Sequence, residues 1–412
     1  MGTPYTSPSV PHLASVSRTV QLPVPIRPQV DELFSSWVTR VATVNGLRVN
    51  QLCGLLTGRH RQMFSGDPDR GVWGDGGRAL AALVGIDPAL VDKTYLSAYE
   101  GQLWMRRPAH GVWRQVLHLA DSGRKRRYFG LQYCARCLEQ DEVPYFRRSW
   151  RLAFSVACDW HGCLLLDRCP KCKAPIRPHR LGIGRSMFNS SQTLAQCAEC
   201  LRSLVQISVT QERPELIEFQ RLLLAALDRG WISIAGRCVH SIAFFEGLHL
   251  LMSFLEDDAV AGETISILRG KVPRPNFEKM SRYGGIERCE WDRRHHVFEL
   301  LAKLLENWPH AAMQVFKAAN LSSSVLHKYA LEKESRIPYW LWQPVKANLD
   351  KSFYSPSDLE VENAAMFLLR TEPNPTAKQL CKLLGMRTRS SARVSRLFKQ
   401  IRCRCQQMYE IR

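Results

Sequence analysis

Eight side chains able to bind a soft divalent metal occur as four pairs, each with two residues between its members: Cys134/Cys137, Cys158/His161, Cys169/Cys172 and Cys197/Cys200. A C-x-x-C turn presents two thiolates to one side of a metal, and a second such turn completes the tetrahedron that Zn(II) takes in structural sites. Pairing in chain order makes one site of Cys134, Cys137, Cys158 and His161 and another of Cys169, Cys172, Cys197 and Cys200, and the intervening stretches of twenty and twenty-four residues are ordinary for zinc knuckles or ribbons. The spacing alone also permits an interleaved pairing, first with third. Each set supplies four protein ligands and leaves no position for a water or substrate, which points to two structural zinc ions and away from catalytic zinc. Cys163 is extra, either a small buried thiol or a substitute for a neighbouring ligand.

Other chemistry finds no support. There is no G-x-x-x-x-G-K-[ST] loop and no H-E-x-x-H, the carboxylates form no readable acid/base or two-metal set, and His295-His296 reads as a surface pair. A zinc deaminase needs a glutamate beside its metal ligands, and Cys158-Asp159-Trp160-His161 offers none. The expectation is a protein without catalytic residues.

The elements that must hold these ligands can be read around them. At 412 residues, 45% hydrophobic and 23% charged, the chain has room for two or three domains of ordinary composition. We expect a mainly α fold with small β zinc ribbons. Residues 1–30, rich in Pro, Ser and Thr, read as a flexible lead-in, and residues 31–128 as an N-terminal helical domain resembling a helix-turn-helix. There Leu33, Phe34, Trp37, Val38, Val41 and Val44 keep helical spacing, Asn45-Gly46 breaks it, and Val49, Leu52, Leu55 and Leu56 begin a second helix. A plain helical hairpin fits that pattern equally well. A Gly/Asp-rich loop is expected over 65–77, the tandem zinc region over 129–210, a helical domain over 211–350, and a basic helix-turn-helix over 351–412.

Charge points to the partner. Lys and Arg number 57 against 38 acids, a formal +19, which favours a polyanion. Thr376–Arg412 carries nearly half of that excess, and a second basic stretch runs through Arg124–Arg127, Arg147, Arg148 and Arg151. No apolar run is long enough to span a bilayer, no secretory signal is visible at the N-terminus, and the cysteines are therefore expected in a reducing cytoplasm.

In the basic tail, Thr376-x-x-Gln379 has the form of a capping box, with Asn374 and Pro375 as the alternative helix start. Leu380, Leu383 and Leu384 give that helix an apolar face, and Gly385 suits the turn. A second helix over about 388–402 has Val394, Leu397, Phe398 and Ile401 on its inner side. Arg387, Arg389, Arg393, Arg396, Lys399 and Gln400 are the candidate contacts to double-stranded DNA, as forks for phosphates or guanine edges in the major groove. A solvated basic face at the end of a bundle is the competing reading.

The block Tyr133–Pro175, with Y-C-x-x-C, S-W-R-L, C-x-x-H-G-C-x-L-L and C-P-x-C-x-x-P, resembles the TniQ/TnsD family of transposition targeting proteins, and the "SW" helix around Ser36-Trp37 is similar to the family's start. The likeness covers about 30–200. It implies zinc at the eight positions above and a bacterial protein that selects a transposon's target, by binding DNA or docking on an RNA-guided complex. It also implies recruitment of an AAA+ ATPase and, through it, a DDE transposase; separately, groove-reading proteins often pair, so a homodimer is compatible with the DNA reading. The alternative function is a zinc-containing transcriptional regulator with no transposon role.

Overall fold

The computed structural model describes residues 21–57, 66–71, 75–119, 129–183, 193–270, 285–350, 356–386 and 392–410. It is mainly helical, with fifteen α-helices among the described residues. The chain divides into two compact units, one of Met1–Leu321 with Val325–Leu349 and one of Ser322–Ser324 with Asp350–Arg412.

The first unit opens with α1 (Phe34–Val44), α2 (Val49–Thr57), α3 (Asp75–Val84) and α4 (Pro88–Asp92). Phe34, Trp37, Val38 and Val41 of α1 share a core with Val49 and Leu52 of α2 and Leu80, Ala81 and Val84 of α3. The apolar stripe read from the sequence is thus the inner side of a helical cluster rather than of a lone hairpin. Three of its members lie outside that core: Leu33 is buried in the core of the rest of the first unit, and Val44 and Leu55 are exposed, because they fall at the last turn of α1 and on the outer side of α2. Residues preceding α1 dock on α1 and α3, with Trp37 Nε1 of α1 donating to the Ile26 carbonyl (3.1 Å) and Leu22 N–H to the Leu83 carbonyl of α3 (2.8 Å). The expected loop over 65–77 contains a short 3-10 turn, Pro68–Arg70, and gives way to α3 at Asp75.

Among its described residues the cysteine-rich region has one α-helix, α5 (Ala135–Gln140), and two short 3-10 helices, Arg148–Arg151 and Pro178–Arg180, and is otherwise turns joined by isolated bridges such as Tyr133↔Leu166 and Ala157↔Leu164. Its ribbons are therefore bridges rather than strands. The two strands among the described residues, β1 (Trp231–Ile234) and β2 (Arg237–His240), form a hairpin outside it, after α6 (Pro214–Arg229). Ala235 and Gly236 both take positive φ, 50° and 72°, as a tight two-residue hairpin turn requires. The first unit closes with α7 (Ser241–Glu256), α8 (Asp258–Arg269), α9 (Trp291–Leu305), α10 (His310–Ala318), α11 (Ser323–Glu332) and α12 (Tyr339–Leu349). Phe244, Phe245, Leu251 and Phe254 of α7 lie in one core with Phe298 of α9 and with Cys134, Cys158, Cys169 and Cys197.

The second unit is three helices, α13 (Asp358–Thr371), α14 (Ala377–Leu383) and α15 (Ala392–Glu410), around Val361, Ala365, Leu368, Leu380, Val394, Phe398 and Ile401. Thr376 caps α14 in a full capping box with Gln379, which decides against Asn374. Gly385 takes φ +65° in the turn after it. Leu383, expected on the inner face, is exposed. No helix among the described residues is long and apolar enough to cross a membrane.

Candidate metal centres and nucleic-acid face

Chain-order neighbours meet in space. Cys134, Cys137, Cys158 and His161 bring one ligand atom each within 4.8 Å of one another, and so do Cys169, Cys172, Cys197 and Cys200. The interleaved pairing is not the one formed. In the first cluster His161 Nδ1 lies 3.5, 3.2 and 3.6 Å from the Sγ atoms of Cys134, Cys137 and Cys158, and Cys137 and Cys158 are 3.6 Å apart. In the second, Cys169–Cys200 and Cys172–Cys197 are each 3.7 Å. A tetrahedron with zinc–sulfur bonds of about 2.3 Å has sulfur–sulfur edges of roughly 3.75 Å, so both clusters have the size that ion demands.

Backbone geometry repeats from turn to turn. The N–H groups of Gly162, Lys173 and Leu201 donate to the carbonyls of Cys158, Cys169 and Cys197 at 2.8, 3.0 and 2.9 Å. All three donors take a left-handed φ, 65°, 57° and 60°. That conformation turns the chain back, so that the first ligand's own N–H bonds to Cys163, Ala174 and Arg202 respectively. Only the first of the three has the glycine this backbone prefers. A Cβ on Gly162 would also come 3.1 Å from Ile217 Cδ1. The remaining pair is built differently: Cys134 is the N-cap of α5 and its sulfur accepts from the Cys137 N–H.

Sequence reading missed Gln140, at the end of α5. Its Oε1 lies 2.7 Å from His161 Nε2. With Nδ1 turned to the sulfurs, Nε2 carries the proton and donates it to Gln140, an arrangement that fixes tautomer and ring orientation in metal-bound histidines. Cys163 is buried with its sulfur 3.4 Å from that of Cys134, beside the first cluster but outside the mutually close set of four. Hydrogen bonding from Cys137 holds the Cys134 thiol far below the ordinary thiol range, while the same contact pushes Cys137 far above it. Without a cation the crowded sulfurs cannot all carry charge, and a divalent ion removes that conflict.

The expected basic stretch 147–151 is a correction. Arg151 is fully buried, 2.9 Å from Asp69 Oδ2, and also paired with Asp67. Arg148 pairs with Asp31 and lies over the Tyr99 ring; Arg147 pairs with Asp141 and lies over Tyr145 and Trp150. Arg148 and Arg151 are consumed in joining the "SW" helix region to the S-W-R-L segment, and Arg147 within the cysteine-rich region; at the same seam Ser35 N–H and hydroxyl both reach Asp69, and Ser36 Oγ accepts from Phe146 N–H. Burial would raise the Asp67 carboxyl, yet Arg151 outweighs it and leaves this group below its usual value. Arg124–Arg127 lie outside the described residues. His295 and His296 are likewise not a free surface pair, since they face Glu212 and Glu299.

Residues 23–165 match the TniQ family model. The chain carries a TniQ domain. The match associates the protein with transposition and contains the whole first cluster, while the second cluster follows the TniQ segment. The S-W-R-L element of this TniQ domain is the buried seam just described. No curated protein matches the chain.

The second unit holds the candidate nucleic-acid face. α15 buries Val394, Phe398 and Ile401 and exposes Arg393, Arg396, Lys399, Gln400, Arg402 and Arg404. Arg393 is paired with Asp358 of α13 across the surface. Arg387 and Arg389 lie outside the described residues. By contrast α2, the second helix of the N-terminal cluster, reads VNQLCGLLT and has no charged side chain.

Proposed function

We propose that this protein selects a DNA target for a transposon, holding the DNA through α15 of its second unit and bringing an AAA+ ATPase and a DDE transposase to that place. It does so as an accessory protein, leaving ATP use and phosphoryl transfer to those partners. The observation that carries the reading is the one-sided α15, whose exposed cations back onto a buried apolar stripe in a chain with a TniQ domain. A helix after a glycine turn with guanidinium groups along its outer side suits a major groove. The Arg393–Asp358 pair is exposed and worth roughly 0–1 kcal/mol, so phosphate can compete for this arginine. Arg387, Arg389 and Gln400 complete the proposed DNA-binding set.

Both clusters hold Zn(II) as structural ions in this reading: each offers four protein donors, enough to fill a tetrahedral shell of the observed size. The ions shape the TniQ domain and the segment after it, and take no part in chemistry.

Replacing Arg393, Arg396 and Lys399 together by Ala tests the DNA face. Affinity for duplex DNA should drop, and the slope of log K against log salt should become shallower by about one for each phosphate no longer neutralised. Unchanged affinity at two salt concentrations would move DNA binding off α15. Transposition assayed with the cognate ATPase and transposase, with and without this chain, tests the role itself.

A further inference from the structure

The first cluster has a neighbour that its four ligands leave unused. Cys163 is fully buried, and its sulfur lies 3.4 Å from the sulfur of Cys134. It stands outside the set of Cys134, Cys137, Cys158 and His161, whose donor atoms all lie within 4.8 Å of one another. Backbone contacts hold it there. The Cys158 N–H donates to the Cys163 carbonyl at 2.7 Å, the left-handed turn at Gly162 precedes it, and an isolated antiparallel bridge joins it to Gln211. The turn that presents Cys158 and His161 to a metal thus also sets the position of this thiol.

Cys134 is itself fully buried, so water does not reach its sulfur. A bound Zn(II) displaces the proton of each thiol that it ligates, which leaves charged sulfur in a dry place. Buried charge needs hydrogen-bond donors. One is the Cys137 N–H, 3.4 Å from Cys134 Sγ. The contact with Cys163 supplies a second, and its sense is fixed. A thiolate cannot donate, so the S–H belongs to Cys163, which is off the metal and keeps its proton because burial disfavours the charged form. Cys163 does not replace His161 as the fourth ligand: His161 Nδ1 already lies 3.2–3.6 Å from the three ligand sulfurs, and its Nε2 is held by Gln140.

We propose that Cys163 is a positioning residue of the first metal site, its S–H donating to the metal-bound Cys134 thiolate without entering the coordination shell. The donor fixes the orientation of that sulfur and takes up part of its charge, so it tightens metal binding from outside. The inference rests on the structural-zinc reading given above, and is independent of the DNA face and of the recruitment role.

The test begins with the full wild-type chain loaded with a spin-active cadmium isotope. Cysteine β-protons report which sulfurs bind: those of Cys134, Cys137 and Cys158 should couple to the first ion, and those of Cys163 to neither. The same spectra should show a Cys163 thiol proton that exchanges slowly with solvent, so the donor is read even where a variant fails to fold. Competition between the zinc-loaded protein and a chelator then measures the bond. Cys163→Ala should weaken zinc binding at the first cluster by about tenfold, the lower end for loss of an outer partner, and leave the second cluster unchanged. Cys163→Ser keeps a donor at a similar loss of volume and should retain most of the affinity, whereas lost packing alone would harm both variants alike. Cadmium coupling to Cys163 would make it a ligand and overturn the proposal. So would a missing Cys163 thiol proton, full zinc affinity in Cys163→Ala, or equal weakening in the two variants. A first cluster that takes up no metal at all would sink the structural-zinc reading, and this donor with it.

Discussion

The two four-donor clusters share a geometry and differ in where that geometry is placed. In the first, Cys134, Cys137 and Cys158 are buried and the cluster lies inside the TniQ match. In the second, Cys169 and Cys197 are buried, but Cys172 is exposed and Cys200 half-buried. Both surroundings carry mixed charge: Arg136, Glu139 and Asp141, the last paired with Arg147, accompany the first, and Lys171, Lys173, Glu199 and Arg202 stand exposed around the second. The same tetrahedral arrangement therefore acts as a core element in one place and as a surface clip in the other. Beyond the one histidine of the first set, what separates them is the packing behind them: α6 reaches into the first through Gln220, whose amide meets Val156, Ala157 and the Ala157 carbonyl at 2.7–3.1 Å.

This contrast can be broken most directly at the ligands. Structural zinc contributes on the order of 10 kcal/mol to small metal-dependent folds, comparable to the whole stability of an ordinary domain. Cys134→Ser should therefore unfold much of the first unit, seen as loss of the cooperative thermal transition. Cys172→Ser should lose one metal equivalent yet keep that transition at a lower temperature. Equal damage from both substitutions would show that exposure does not set the clusters apart. Chelation makes the same distinction in the wild type: metal should leave in two phases, the faster one abolished by Cys172→Ser. A single phase would contradict it.

A smaller effect is expected one layer out. Gln140→Leu removes the acceptor of His161 Nε2–H and should weaken metal binding at the first cluster by about 10–100-fold, leaving the second unchanged. Competition with a zinc chelator measures this, and equal metal affinity would assign Gln140 a surface role only. The least effect concerns the turns. Lys173 is exposed at φ +57°, where glycine fits without strain, so Lys173→Gly should raise stability by about 0.5–1 kcal/mol through the second cluster alone. A lowered melting temperature would mean that the lysine side chain contributes more than the turn costs.

Much of the site was legible because spacing and ligand chemistry are local. A two-residue gap sets the bite of each pair, and Thr376-x-x-Gln379 names its own cap. The paired residues Cys158 and His161 could be recognised without knowing what packs behind them. Other features were hidden for an equally physical reason. Arg147, Arg148 and Arg151 look in the sequence like further cationic surface, but their charge is compensated by Asp141, Asp31, Asp67 and Asp69, most of them distant along the chain. Leu55 and Leu383 look like core positions, and the helices they occupy turn them outward.

By itself the sequence determined the types and grouping of the metal ligands, the helical character of the chain, and the concentration of positive charge near its C-terminus, all of which follow from residue chemistry and short-range periodicity. Tertiary structure alone decided which pairs join, that Gln140 orients His161, that the S-W-R-L arginine is a buried tie, and that the Cys163 sulfur meets that of Cys134. Those outcomes depend on burial and on partners far apart in the chain, and burial is a property of the packed molecule rather than of any segment of it.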